Sequence, residues 1–521
     1  MANTNFIDSQ TPVVASWLND VNDLVYEGTI PPGTTFPSSS VTYTPSGTGA
    51  VDTTVQSKLR ETVSVKDFGA VGDGVTDDTA AFQSALTVLE NGGVLYVPLG
   101  RYKITDTLVL KTGVTVQGQG NADRTFGIPN TNAESSYIFQ TTANKSVFSI
   151  GGNTRQIRIK DISLGSRLDV NLVPSTNING ISLAGTWPNS STDFVVERCS
   201  FYNFNKAVSV VDTALPGSPN PDWQCDDVSF NNCLFYMNTD GMYFYTTNSD
   251  SWVLTNVDFL TGDNANGLHF NRVGTFTAIN CFGGDIVDVS PSAAYGIHIG
   301  GDGFFDTMKY INCQWERTTN MMYVETSYYP NQPVGALKII MDSCQIESDI
   351  TIAAACNYIS FASRYQNSVF VTGNNVQIDS YSDYFLSPNK YLITGTNSGF
   401  GSCITSSETS VSNANNGVIL TGRVRTYVQI DPNTSTYPSK VGDIALNGLS
   451  YRVGSPVGWI CGADGTPGTW YPFGQIGSRS ASGSPVGVLT PYFMGEEYLD
   501  TGSNKWYKST GLTNTNWVAL N

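Results

Sequence analysis

Two columns of side chains carry the chemistry that this sequence could perform. Glu316, Glu347 and Asp379 each fall four residues after a recurring reference position, in successive repeats. Asp285 sits one step further along its own repeat, and Asp258 lies two after its reference residue. Glycoside hydrolysis needs one protonated and one ionised carboxyl flanking the scissile bond. Stacked carboxylates raise one another's pKa, so such a column is either kept for a task or is a solvated bend paired with Arg317. On the first reading Glu316 and Glu347 are the best catalytic pair, with Asp285 or Asp258 assisting. Equivalent positions one repeat apart lie about 4.8 Å from each other, close to the roughly 5–5.5 Å of a retaining pair. Glu316 and Asp379, two repeats apart, would be separated by about 9.6 Å, near the upper limit for inversion. The second column stacks Ser182, Ser209, Tyr243, His269, His298 and Tyr323, and it contains both histidines of the chain. Imidazole and phenol faces stack on sugar rings, so Tyr243, His269, His298 and Tyr323 are the candidate substrate-binding residues. The same Tyr and His groups could instead serve a base-driven elimination. No nucleophile elbow, metal-ligand cluster or nicotinamide motif is present, so no metal and no cofactor is expected.

These columns exist only if the chain coils regularly, and a repeat says that it does. Segments such as Phe194–Phe201, Val228–Phe235, Trp252–Phe259, Phe276–Gly283, Met308–Trp315 and Ile339–Ile346 align on reference positions 161, 198, 232, 256, 280, 312, 343 and, more weakly, 375. The steps range from 24 to 37 residues. Periods of this size with variable length mean a solenoid of constant coils joined by variable turns. Apolar residues four and two before the reference position, then one and three after it, point inward, the change of parity marking a bend between two strands. Cys199, Cys233, Cys281, Cys313 and Cys344 share one inward site and read as a reduced ladder packed as small hydrophobes. Asn232, Asn256, Asn280, Asn312 and Asn375 at the reference position read as a turn ladder. A third strand follows in each coil, centred on the His–Tyr column.

Upstream, Val13, Trp17, Val21, Leu24 and Val25 give one short amphipathic helix between Thr11-Pro12 and Gly28, whose apolar stripe needs a partner. Residues 29–60 are rich in Pro, Ser, Thr and Gly and read as an extended linker. A strand, a glycine turn and a helix come next: Asp78 or Thr79 can cap the helix, Phe82, Ala85, Leu86 and Leu89 form its apolar face, and Gly92-Gly93 ends it. Gly69, Gly72 and Gly74 match neither the dinucleotide fingerprint nor the P-loop. The stretch KDFGAVGDGVTDDTAAFQ resembles the opening signature of the pectate-lyase-like superfamily, and VQSKLRETVSV before it is similar to the join found in bacteriophage tailspikes. NFIDSQTPVVASWLNDVNDLVYEG resembles the virion-attachment segment of short-tailed phage tail proteins. The resemblance implies a tailspike or tail fibre, homotrimeric, docked to phage tail, adaptor or nozzle proteins through residues 1–28, and assembled in the host cytoplasm into the virion. It implies no catalytic residue, because active sites differ between tailspike subgroups.

The fold class is therefore all-β: a right-handed parallel β-helix at residues 61–400, with an N-terminal capping helix and a small C-terminal β-domain. Two aromatic-rich modules at 401–521, around Tyr451, Trp459 and Trp470, then Trp506, Tyr507 and Trp517, read as a trimerising or capping domain or as a carbohydrate-binding one. A formal charge of −17 with charged residues at only 14% argues against nucleic acid and anionic membranes. No apolar h-region opens the chain and no 18 apolar residues run together, so neither a signal peptide nor membrane insertion is expected. The nine cysteines show no disulfide or zinc spacing. The function expected is recognition of a bacterial surface polysaccharide, capsule or O-antigen, with depolymerisation by hydrolysis. A polysaccharide lyase and a non-catalytic receptor-binding fibre remain the alternatives.

Overall fold

The structure, a computed structural model, describes residues 35–121, 135–166, 175–185, 190–212, 224–245, 249–261, 265–285, 295–300, 306–316, 320–325 and 337–385 and, more sparsely, residues between 391 and 520. The anchoring segment expected at 1–28 lies outside the described residues. A first compact unit ends at Val63. In it Thr42–Tyr43 pairs antiparallel with Thr53–Thr54, and a five-residue helix, Val55–Leu59, follows in the stretch read as a linker.

The second unit holds a right-handed parallel β-helix, the solenoid that the repeat implied and the coil that the family resemblance implied. Three strands per coil stack into three parallel sheets. The first sheet holds the strand before each reference position, such as Gln224–Asn231, the second the strand just after it, such as Leu234–Tyr236, and the third the strand that completes the coil, such as Asp240–Tyr245. Every in-sheet partner comes from the neighbouring coil, so Val228, Phe230, Leu234 and Met242 meet Trp252, Leu254, Asp258 and Leu268. The lumen is filled as the parity argument requires: Val228, Phe230, Cys233 and Phe235 are all buried. Phe201, Phe235 and Phe259 stack one above another with ring centroids 4.6 and 4.9 Å apart. Such offset aromatic contacts add about 1 kcal/mol each beyond area burial. The cysteines expected in the ladder are free and buried at one inward site, and burial pushes the Cys199 thiol well above its ordinary range.

The bend between the first and second sheets is made by one residue in the left-handed region. Asp161, Arg198, Asn232, Asn256, Asn280, Asn312 and Ser343 have φ between 50° and 57°. Asn tolerates this conformation because its short polar side chain bonds locally. Here Asn256 Nδ2 donates to Asn232 Oδ1 at 3.2 Å and Asn312 Nδ2 to Asn280 Oδ1 at 2.7 Å. Where Asp161 and Arg198 replace asparagine, the guanidinium bridges both carboxylate oxygens at 2.6 and 3.0 Å.

One register differs from the sequence reading. After Ser343 the bend recurs at Ala362 and Ser382, not at Asn375, because two short coils intervene where one long coil was expected. Ser363 follows Cys344 by 19 residues and Asp383 follows Ser363 by 20. Asn375 lies in a turn before the strand Gln377–Phe385. Asp379 accordingly pairs with Ile359 on the first sheet and leaves the Glu316–Glu347 column, whose next member is Gln366.

The helix Thr79–Val88 caps the open end of the coil, burying Phe82, Ala85 and Leu86. Phe82 meets Tyr102 edge to face at 5.5 Å. Asp78 precedes this helix but does not cap it; its buried carboxylate accepts the N–H groups of Val71 and Gly72 at 2.6 and 3.1 Å and holds the glycine turn. Gly72 has φ 70°, and a Cβ there would lie 2.8 Å from the Tyr102 ring. At the other end two small four-stranded sheets repeat one plan: a parallel strand followed by an antiparallel meander. Trp459 and Trp470 are buried in the first, and Tyr498, Tyr507 and Trp517 in the second. Trp506 and Tyr471, by contrast, are exposed.

Candidate functional site

The outer face of the third sheet is where titratable and aromatic groups converge. The predicted column is in register: Ser209 pairs with Tyr243, Tyr243 with His269, His269 with His298 and His298 with Tyr323. In-register parallel pairing of neighbouring coils brings these rings into contact. The Tyr243 ring meets His269 edge-on at 5.0 Å, His269 and His298 stack at 4.6 Å, and His298 and Tyr323 stack at 5.8 Å.

Two flanking columns that the sequence reading missed complete the site. On one side Lys206, Asp240, Asn266, Tyr295 and Asn320 are successive partners. The Asp240 carboxylate accepts from Asn266 Nδ2 at 2.7 Å and lies 3.2 Å from His269 Nδ1. The Lys206 ammonium sits 3.1 Å above the Tyr243 ring, and burial lowers its pKa. Tyr295 stacks on Tyr323 at 5.2 Å and lies 5.1 Å from His298. On the other side Asn271 Nδ2 donates to the Tyr243 hydroxyl at 2.9 Å, and Glu325 Oε1 lies 2.9 Å from His298 Nε2. Glu325 reaches the ring because Gly300 stands opposite it; a Cβ at 300 would come 2.6 Å from Glu325 Oε2. Each imidazole thus faces one carboxylate. Burial and then the charge of His269 hold the His298 pKa below its ordinary value, against the opposing pull of Glu325. Burial pushes the Tyr243 and Tyr295 hydroxyls up.

The predicted carboxylates occupy the adjoining face. Glu316 ends the second-sheet strand Gln314–Glu316 and Glu347 follows the next one, Gln345–Ile346, at the corner where the second sheet turns into the third. Gln345 and Gln366 each donate an amide to Glu347 Oε1, at 2.9 and 2.6 Å. Asp349, not singled out from sequence, opens the third-sheet strand two residues later, and burial raises its carboxyl pKa. Asp258 lies on the second sheet two coils before Gln314 and is not brought to the Glu316–Glu347 corner. Asp285 ends a second-sheet strand, one residue beyond Gly284, the partner of Glu316. Most predicted site residues therefore fall into two neighbouring groups, a ring stripe on the third sheet and the Glu316–Glu347 corner beside it, with Asp258 outside both. No group of three or more metal-ligating side chains occurs among the described residues, and no described helix is long and apolar enough to cross a membrane.

With this geometry in place, comparison with known proteins is informative. Residues 62–269 match the family described as "Rhamnogalacturonase A/epimerase, pectate lyase-like". The chain is similar to the tail spike protein of Shigella phage Sf6, 30% identical over 139 residues, covering 25% of this chain and 21% of that protein. It is similar to the pre-neck appendage protein of Bacillus phage B103, 31% identical over 118 residues, covering 21% and 13%. Mannuronan C5-epimerase AlgE1 of Azotobacter vinelandii is 43% identical over 65 residues, covering 11% and 5%. The matches thus span at most about a fifth of these relatives' own lengths. Among solved structures, ORF18 of Geobacillus virus E2 aligns with TM-score 0.40 at 16% identity, covering 90% of this chain and 87% of that one.

Proposed function

We propose that this chain, a pectate-lyase-like right-handed parallel β-helix with phage tailspike relatives, is the adsorption spike of a bacteriophage and binds a bacterial surface polysaccharide along its third sheet. The observation that carries the proposal is the continuous ring stripe Tyr243–His269–His298–Tyr323, widened by Tyr295. Its step of about 4.8 Å per coil suits an extended polymer, and stacked rings present flat apolar faces beside hydrogen-bonding nitrogens. The spike works as a homotrimer anchored to the tail through residues 1–28.

On the bound polymer the spike acts as a hydrolase. Water adds across the glycosidic bond, its hydroxyl going to the anomeric carbon and a proton to the leaving oxygen. The corner carboxyls supply the acid and the base: Asp349, whose burial favours the protonated form, stands two residues from Glu347, which two glutamine amides orient. Glu316 is the neighbour one coil away. Asp285 and Asp258 lie further along the second sheet as assisting groups.

A second reading is favoured by the His298–Glu325 contact, because a carboxylate-oriented imidazole beside Tyr323 has the parts of an elimination base and acid. The experiment that decides is to incubate the full protein with capsule or O-antigen from the host, following new reducing ends and the absorbance of unsaturated uronate. Reducing ends alone are expected. Both signals together mean a lyase, and retention of polymer with neither means a receptor-binding fibre. Light scattering giving a 56.2 kDa monomer would defeat the trimer.

A further inference from the structure

We propose that the outer face of the first sheet, in the late coils, is the surface on which a second, parallel copy of this chain docks, each coil against the same coil. This rests on the homotrimer reading and names the face that would make the contact. The first sheet changes character along its length. In the early coils the strand Arg155–Lys160 sets Ile157 and Ile159 inward and Arg158 and Lys160 outward, and Lys160, Glu197 and Asn231 follow one another in register on the outside. In the late strands Phe276–Ile279, Thr307–Ile311, Lys338–Asp342 and Asn357–Phe361, apolar residues occupy outward positions as well. Ile279 pairs with Ile311, Ile340 with Ile359, and Phe361 with Tyr381, whose rings stack at 5.0 Å. Parallel strands that are apolar on both sides belong to sheets covered on both faces. Here the four isoleucines are half-buried and Phe361 is 39% exposed, so the chain by itself leaves this face partly open.

The other faces are accounted for. The third sheet presents the ring stripe, and the early outer face of the second, with Tyr137, Tyr202 and Tyr236, is buried within the chain. Aliphatic isoleucines offer a sugar neither flat ring faces nor hydrogen-bonding groups, whereas they suit a like surface. Five coils stack over roughly 24 Å, and four strand residues span roughly 13 Å. The resulting area, roughly 300 Å², is the apolar centre of a contact, since a stable interface buries about 800 Å² per partner. Outward positions on these strands also hold Lys309, Lys338, Asp342 and Asp379. Lys338 and Asp342 stand at opposite edges of one strand with Ile340 between them. Asp342 accepts from Ser343 Oγ at 2.9 Å, and among the described residues neither edge charge forms an ion pair. A threefold axis keeps the coils parallel and sets one edge of each face against the opposite edge of the next. Lys338 then meets Asp342 of the partner subunit at the same level, around a centre of isoleucines, which is the complementarity that fixes register.

The test is the mass of the full-length protein by light scattering, with β-content followed by circular dichroism. The unaltered chain is expected at three times 56.2 kDa, and Ile340→Glu near 56.2 kDa with its β-content kept. Lys338→Glu and Asp342→Lys should each weaken assembly several-fold, and the two together should restore it, a rescue that a folding defect does not produce. A trimer that keeps its mass in every variant would overturn the inference and leave the trimer standing; if Ile340→Glu then blocks incorporation into particles, the face belongs to a tail protein instead. An antiparallel pair would match Lys309 with Asp379, so rescue confined to Lys309→Glu with Asp379→Lys would overturn the parallel register. A dimer that Ile340→Glu dissociates and the Lys338–Asp342 reversal restores would uphold the face and remove the threefold. A monomeric unaltered chain would defeat both.

Discussion

His269 and His298 lie face to face, ring centroids 4.6 Å apart and planes 28° from parallel, each with a carboxylate at one nitrogen: Asp240 at 3.2 Å and Glu325 at 2.9 Å. Parallel pairing of the third sheet makes this contact unavoidable once both positions are histidine. Two imidazolium ions at this separation would repel by about 4 kcal/mol at an effective dielectric near 20. The two carboxylate contacts and the stack hold both rings in place.

Removing a ring from the stripe should cost affinity without unfolding the coil, because these side chains lie outside the lumen. His298→Ala and Tyr243→Ala are each expected to weaken polysaccharide binding by about 1 kcal/mol, or several-fold, as aromatic contacts do. Glu325→Gln should weaken it less than His298→Ala, and the double variant should match His298→Ala alone, since Glu325 acts through the ring. Calorimetric titration checks this; additive losses would uncouple Glu325 from His298.

The depressed His298 pKa sets a pH dependence. The folded state binds the proton less well than the unfolded chain, whose histidine titrates near about 6.5. This stability is fully present above that value and is lost as pH falls through the lower folded value. The groups facing the ring are His269, Tyr295, Tyr323 and Glu325, so protonation of His298 among them is the event expected to matter. Denaturant midpoints should fall between about pH 7 and pH 5, and His298→Asn should flatten that slope. An unchanged slope in the variant would assign the effect to other groups.

Much of this was legible because a stacked coil repeats its environment. Cys199, Cys233 and Phe201, Phe235 recur at constant offsets, so the lumen could be read from periodicity, and so could the Tyr243–Tyr323 column. The reading lost register after Ser343, where coils shorten to 19 and 20 residues and Ala362 and Ser382 replace asparagine at the bend. Asn375 and Asp379 were therefore placed wrongly. Asp240 and Glu325 escaped because they flank the column: Asp240 starts its strand and Glu325 follows the end of its own. A glycine at 300, two residues after His298, was the available signal that an adjacent coil sends a side chain into that gap.

The asparagine ladder is predicted to be a stability element. Asn280 holds φ 52° and accepts from Asn312 Nδ2 at 2.7 Å. Asn280→Ala should cost about 1–2 kcal/mol for the left-handed backbone and about 1 kcal/mol for the hydrogen bond. Asn280→Gly should recover the backbone part. Urea unfolding of the three proteins measures the split, and equal losses for alanine and glycine would deny the backbone contribution.

Inside the late coils Asp383 replaces the small inward residue and carries a polar network in the lumen. Its carboxylate accepts from Ser363 N–H at 2.9 Å, Ser360 Oγ at 2.8 Å, Ser380 Oγ at 2.5 Å and Tyr391 OH at 3.3 Å, and Tyr365 links Ser360 to Tyr358. Asp383→Ala strands these buried donors and is expected to destabilise by about 3 kcal/mol or more. Thermal unfolding within 1 °C of the unaltered protein, where about 3 kcal/mol should shift the midpoint of a chain this long by roughly 3 °C, would show the network to be dispensable.

The corner carboxyls are the place where hydrolysis is expected to reside, and amide substitution separates their roles. Glu347 is oriented by Gln345 and Gln366, whereas Asp349 is the group whose burial favours a bound proton. An acid that donates to the leaving oxygen and a base that activates water both fail when the carboxyl becomes an amide, which keeps the shape but cannot exchange the proton. Glu347→Gln and Asp349→Asn should each retain polysaccharide binding while lowering turnover by about 10²-fold or more. Glu316→Gln should fall with them if the pair spans neighbouring coils, at about 4.8 Å, in the retaining range. If instead Glu316→Gln keeps most of its turnover, the pair lies within one coil, Glu347 and Asp349 flanking the bend at Ser348 with Cα atoms no more than about 7 Å apart, near the lower limit for inversion. The anomeric configuration of the first product, read by proton NMR, should agree with whichever variant is silent. Near-normal turnover in all three would move the chemistry onto the stripe, where Glu325→Gln then becomes the variant expected to abolish it.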